Sequence, residues 1–149
     1  MLSKQASLRA QRSRIGDVTR CHMRFMIEEK GGVNADKFIK FLRRRMVGVG
    51  AKKIFLIVDR GPAHIAKKTQ EFVASLGGRL KLFHFPPYSP DTNPDELVWK
   101  HLKSDTVGRA SIVNRDDFRK KVKSSMVSLQ RNREKIRAFF QKPSLKYAA

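Results

Sequence analysis

The strongest constraint on this chain is a five-residue apolar run, Ile54-Phe55-Leu56-Ile57-Val58, that ends on a carboxylate, Asp59. An unbroken run of β-branched, aromatic and aliphatic residues predicts a strand buried on both faces. Open α/β sheets collect ligands at the C-terminal edge of such strands, and the run delivers Asp59 to that edge. A second strand is predicted over residues 80–85. It runs into Pro86-Pro87-Tyr88-Ser89-Pro90, a loop too rich in proline for helix or central strand. The loop closes on Asn93-Pro94-Asp95-Glu96, which reads as a helix start and offers Glu96 as a second carboxylate to join Asp59.

The flanking sequence fits an α/β order. Short β-like pieces fill residues 15–27, with Met23–Ile27 the clearest. Asn34 is a good N-cap, Val33 and Phe38 form a hydrophobic staple, and Ala35, Phe38, Ile39, Leu42 and Met46 share one helical face. After the Asp59 strand, Gly61-Pro62 opens a second helix with Ile65, Thr69, Phe72, Val73 and Leu76 inward, stopped by Gly77-Gly78. Residues 23–85 thus read as a βαβαβ run with a parallel portion. Beyond the proline loop, a helix from Glu96 to about residue 107 turns Val98, Trp99 and Leu102 inward. Two more helices follow. One is capped by Asn114 with Phe118, Val122, Met126 and Leu129 on its face, and the other uses Ile136, Phe139 and Phe140. Residues 143–149 are predicted to be loose.

Composition narrows the partner. A net charge of +20 over 149 residues exceeds what solubility needs and points to a polyanion, of which nucleic acid is the commonest. No apolar segment approaches a membrane span, which argues against a membrane partner. The one cysteine, Cys21, cannot form an internal disulfide and suits a reducing compartment. One by one, the candidate residues have ordinary explanations. Asp59 could simply end a strand. Asn93, Pro94 and Glu96 form a capping box, a better local account of Glu96 than catalysis. His64 suits a first helical turn, and His84 and His101 lack ligand spacing. The Lys and Arg runs are each solvated helix faces, and only their sum asks for a partner.

Taken together, the string is more specific than its parts. An apolar run ending on Asp59, with His64 five residues on, precedes Pro86, Pro87, Tyr88, Ser89, Pro90, Asn93, Pro94, Glu96 and Trp99 in a P-P-Y-S-P-x-x-N-P-x-E-x-x-W register. This resembles the catalytic core of transposases of the mariner-type superfamily, in its bacterial insertion-sequence branch, a group of Asp-Asp-Glu (DDE) endonucleases. The thirty-six residues between Asp59 and Glu96 suit that family's spacing, and residues 31–44 resemble its third-strand-to-helix passage.

The resemblance implies an α/β ribonuclease-H-like mixed sheet, three antiparallel strands then two parallel ones, with helices on both faces. It implies metal-dependent DNA strand cleavage and strand transfer by two Mg2+ or Mn2+ ions on three carboxylates, of which Asp59 and Glu96 are two. His64 and Asn93 fall near that site. Lys100 and Lys103, one helical turn beyond Glu96, and Lys120, Lys121 and Lys123 are expected to contact DNA phosphate. The family's first Asp should stand on a strand upstream, but no acid precedes Asp17, so that strand is expected to be missing or degenerate. The expected layout is a basic arm or remnant at 1–14, a catalytic core truncated at its N-terminus at 15–108, and basic helices at 109–149. The implied partners are transposon ends and target DNA. A homodimer is compatible, and the expected location is the cytoplasm, with the nucleoid. The expectation is a transposase fragment inactive alone, the alternative a non-catalytic basic DNA-binding relic.

Overall fold

The computed structural model describes residues 14–18, 22–27, 32–106 and 109–148. The basic arm before Arg14, Cys21, and all but the last residue of Glu28 to Gly32, which the sequence reads as a turn, lie outside these. The chain divides into two compact units, Gly31–Ser89 and Met1–Lys30 with Pro90–Ala149.

The Gly31–Ser89 unit holds α1 (Ala35–Met46), β3 (Ile54–Val58), α2 (Pro62–Ile65), α3 (Lys67–Ser75) and β4 (Leu80–His84). Asn34 caps α1 as expected, its side chain accepting the Lys37 N–H at 3.0 Å. Phe38, Ile39 and Leu42 are buried, and Phe41 joins them. β3 and β4 pair in parallel with Ile54 opposite Leu80 and Val58 opposite His84, so the predicted parallel portion is this pair. The α2–α3 passage crosses between the strands, and α1 packs on both its helices.

Two readings of this unit are corrected. The predicted helix after Gly61 is two, because Ala66 adopts an extended conformation (ψ 138°). The break turns Ile65 outward and leaves Thr69 buried, its hydroxyl donating to the Ala63 carbonyl at 2.7 Å. That bond satisfies a carbonyl that the end of α2 orphans. The strand expected to be buried on both faces is covered on one. Ile54 is buried, whereas Phe55 and Ile57 are 62 % and 42 % exposed, with Phe83 beside them at 49 %. Side chains alternate along a strand, so these three share a face of the two-stranded ladder.

The other unit begins with an antiparallel pair, β1 (Arg14–Val18) and β2 (Met23–Ile27). The proline loop ends in a 3-10 turn, Pro90–Thr92, before α4 (Pro94–His101), which continues as a π-turn, Leu102–Thr106. α5 (Arg115–Arg131) and α6 (Arg133–Phe139) follow, capped by the side chains of Asn114 and Asn132. Val98, Trp99 and Leu102 meet Val122, Met126, Leu129, Ile136, Phe140 and Met23 in one core. Gln130 ties α5 to β2 by donating to the Met23 carbonyl at 2.8 Å.

Among the described residues, β1–β2 and β3–β4 are separate ladders, so the predicted βαβαβ run is parallel only in its second half. The C-terminal residues are also corrected. They form a 3-10 helix, Pro143–Ala148, that packs on the Pro90–Thr92 turn and buries Leu145 completely.

These contrasts set two substitutions apart. Leu145→Ala should destabilise the protein by about 2–4 kcal/mol, because it empties a filled site. Phe55→Ser should cost less than about 1 kcal/mol, since that ring is already largely in water. Urea denaturation of both variants measures the difference.

Candidate active site

Asp59 stands immediately past β3, at the C-terminal edge of the parallel pair. One of its oxygens is held from two directions. The Gly61 N–H donates to Oδ1 at 2.8 Å, and His64 Nδ1 lies 2.7 Å from the same atom. His64 Nδ1 is also 3.1 Å from the Asp59 carbonyl oxygen. Both neighbours are acceptors, so Nδ1 carries the proton and donates to both. Oδ2 takes no hydrogen bond among the described residues, and the Asp59 side chain is 60 % exposed. The carboxylate is therefore oriented by one oxygen and open at the other.

Each part of this arrangement has a local cause. Pro62 starts α2 at N1, where its missing N–H costs nothing, and that places His64 in the first turn, facing back toward β3. The His64 ring rests against Phe38 of α1, centroids 4.4 Å apart. A Cβ on Gly61 would sit 2.9 Å from Asp59 Oδ1 and 3.4 Å from His64 Nδ1, so the cradle closes only around glycine. His84, at the end of β4, brings Nδ1 within 3.3 Å of the Asp59 carbonyl oxygen. Sequence spacing gave no sign of it. The available signal was strand register, which sets His84 opposite Val58.

The His64 hydrogen bond, more than the Gly61 N–H or the nearby imidazole charges, holds the Asp59 carboxyl below its ordinary value, against the opposing effect of partial burial. Asp59 is therefore an ionised, hard oxygen donor at neutral pH.

Glu96 lies in the other unit, in the first turn of α4. The Asn93 side chain accepts the Asp95 N–H at 3.0 Å, and the Glu96 N–H reaches the Asn93 carbonyl at 3.1 Å. The side-chain cap thus acts one residue earlier than the predicted capping box, at N2. Among the described residues, no three or more His, Cys, Asp and Glu gather around a point that could hold an ion. Lys100 is exposed, and Lys103 lies over the Trp99 ring at 5.5 Å. Lys120 and Lys123 are exposed on α5, while Lys121 pairs with Asp117 at 2.7 Å and also donates to the Ser111 carbonyl.

The cradle can be tested without metal. A depressed folded-state pKa contributes stability above the unfolded value near ~3.9, and that stability is lost as pH falls through the folded value. The 13Cγ resonance of Asp59 should titrate below that reference. His64→Ala and Gly61→Ala should both move the midpoint up toward it. His64→Asn should hold it down, because an amide N–H can replace Nδ1–H.

With the geometry in view, the chain can be compared with known proteins. Residues 4–119 match the DDE superfamily endonuclease family. The fold is similar to the crystallised catalytic domain of Mos1 mariner transposase, with TM-score 0.65 and 14 % identity over 89 % of this chain and 77 % of that one. The same domain solved with raltegravir and Mn gives TM-score 0.59 and 14 % identity over 93 % and 84 %. The Mos1 paired end complex with Mn gives 0.57 and 14 % over 91 % of this chain and 44 % of that one. No curated protein matches. The match over most of its length and the shared ribonuclease-H-like architecture make this chain a member of the DDE superfamily endonucleases.

Proposed function

We propose that this chain is a catalytic-domain portion of a mariner-type DNA transposase of the bacterial insertion-sequence branch, acting on DNA through divalent cations held by Asp59 and Glu96. The observation that carries the reading is the Asp59 carboxylate, fixed through Oδ1 and open at Oδ2, on a sheet edge of a DDE-family chain. Carboxylate oxygen is the donor that Mg2+ and Mn2+ favour, so Asp59 fits such an ion. Solved Mos1 structures described with Mn support a divalent metal as the cofactor. Bound in pairs, such ions stabilise the attacking and leaving oxygens of a phosphodiester displacement.

The chain's own residues do the rest. His64 and Gly61 orient Asp59. Asn93 fixes the first turn of α4 and with it the backbone of Glu96. Lys100 and Lys103 extend from that element toward phosphate. The partners are transposon-end and target DNA, which would put the protein in the cytoplasm with the nucleoid. Among the described residues, no helix is long and apolar enough to cross a membrane.

Only two of the three carboxylates that the family resemblance implies have counterparts here. No Asp or Glu precedes Asp17, whose backbone in β1 lies opposite Arg24. A two-ion site short of one anionic ligand is under-neutralised, and a misplacement of ~1 Å can cost about a hundredfold in rate. The second reading, a non-catalytic DNA-binding relic, rests on the +20 charge.

A nicking assay on supercoiled plasmid with Mg2+ or Mn2+ tests whether the carboxylates of this chain suffice for cleavage, an outcome that would exclude the relic. The chain alone is expected to bind the plasmid and leave it uncut. Metal-dependent nicking abolished by Asp59→Asn or Glu96→Gln would show a complete site, and Asp17→Asn would then test the substitute third ligand.

A further inference from the structure

We propose that the solvent face of α5 carries a dedicated seat for the DNA sugar-phosphate backbone, formed by Lys120, Lys123, Ser124, Ser128 and Arg131. The inference rests on the DNA-binding part of the reading above and names the surface that performs it.

These residues, with Val127, line a shallow groove of about 500 Å³. Lys120, Ser124, Val127 and Arg131 follow one another at steps of four, three and four residues, so they form a stripe along one side of the helix. The opposite side holds Val122, Met126 and Leu129, all buried in the core. The stripe therefore faces water by construction. It lies beyond the segment matched to the DDE family, which ends at residue 119.

Three features separate it from an ordinary solvated face. The first is that its cations are not tied up in ion pairs. Lys120, Lys123 and Arg131 make none among the described residues, Lys120 sharing only the longer-range field of Asp117, whereas adjacent Lys121 is held by Asp117 and the Ser111 carbonyl. The second is the absence of competing anions. Both acids of α5, Asp116 and Asp117, lie in its first turn, where they suit the helix dipole, and none follows as far as Arg131. The third is shape. The floor is Ser124, Val127 and Ser128, so long basic side chains wall a strip of short ones. Such a strip lets a backbone approach closely, and its two hydroxyls can donate to phosphate oxygen.

The chemistry matches a phosphodiester chain better than an isolated anion. From Lys120 to Arg131 the helix rises ~16 Å. One DNA strand carries a charge every ~3.4 Å of axis, so the stripe spans several phosphates and can neutralise about three. Serine and lysine reading phosphate carry no sequence information, and the contact should be indifferent to base sequence.

The test is fluorescence anisotropy of a labelled duplex with the full chain, between 50 and 200 mM salt. Replacing Lys120, Lys123 and Arg131 by alanine together should lower the slope of log K against log salt by about 2.7. The loss of affinity across that range should then be about fortyfold smaller than in the parent. Circular dichroism should be unchanged, because the core face is untouched. Ser128→Asp, which keeps every cation but sets a carboxylate on the groove floor, should weaken binding about tenfold or more. A control triple at exposed Lys40, Arg44 and Lys53 should change the slope less than the groove triple.

If the parent binds and the groove triple keeps its slope, the assignment is overturned and the functional reading stands. A control triple with an equal effect would mean diffuse charge and would also overturn it. If the parent does not bind DNA, the functional reading falls together with this one.

Discussion

The parallel pairing of β3 with β4 is the constraint on which the site depends. Five residues on each strand run in register, and the ladder continues one step past β4, where the Phe85 N–H reaches the Val58 carbonyl at 2.9 Å. That last bond fixes the peptide just before Asp59. Parallel strands cannot be joined by a tight turn, so the chain must cross over, and the crossover is the α2–α3 passage. The passage starts two residues after Asp59, so its first N–H and its first-turn histidine meet the carboxylate that the strand has just delivered. The strand positions the carboxyl group, and the return path orients it.

How much of this could be read in the sequence differs by kind of signal. Helix starts were legible where a short polar side chain precedes a periodic stretch. Asn34 and Asn114 cap as expected, and Val98, Trp99 and Leu102 are buried as their spacing implied. The Asp59–His64 juxtaposition was legible only through the family-like string. The misses share a cause, which is that burial is decided by what packs opposite. Phe55 and Ile57 look like core in a one-dimensional reading, yet among the described residues no element covers them fully. Leu145 sits in a polar tail and is still completely buried, because the Pro90–Thr92 turn offers it a surface. His84 reaches Asp59 through register, a relation between positions far apart in the chain.

The basic charge divides in the same way. By count alone, each lysine of the 119–123 run is equivalent to its neighbours. In the structure they part according to helical phase. Lys121 falls four residues after Asp117, the spacing that brings an acid and a base together on a helix, and their pair occupies it. Such a pair adds little stability at a surface. Its larger consequence is negative, since it removes one cation from those open to a polyanion. Lys68 is likewise spent on Asp36 and Arg79 on the Gly50 carbonyl, whereas Arg43 lies over the Phe72 ring. The charge that remains open is a patterned subset of the +20.

The glycines show how geometry separates roles that composition merges. Gly77 and Gly78 end α3 with φ of +58° and +80°, where a side chain would be strained, and a Cβ at either would meet nothing. They are glycine for the backbone's sake. Gly61 is the reverse case. Its φ of −61° and ψ of 151° suit any residue. The space is what forbids one, because a Cβ would press on the oxygen that Gly61 itself donates to. Close approach to a functional group, rather than freedom of rotation, accounts for it. A helix-stopping Gly-Gly is recognisable from its place after a periodic stretch. A glycine required by the position of a carboxylate two residues earlier becomes recognisable only once that carboxylate has been turned toward it.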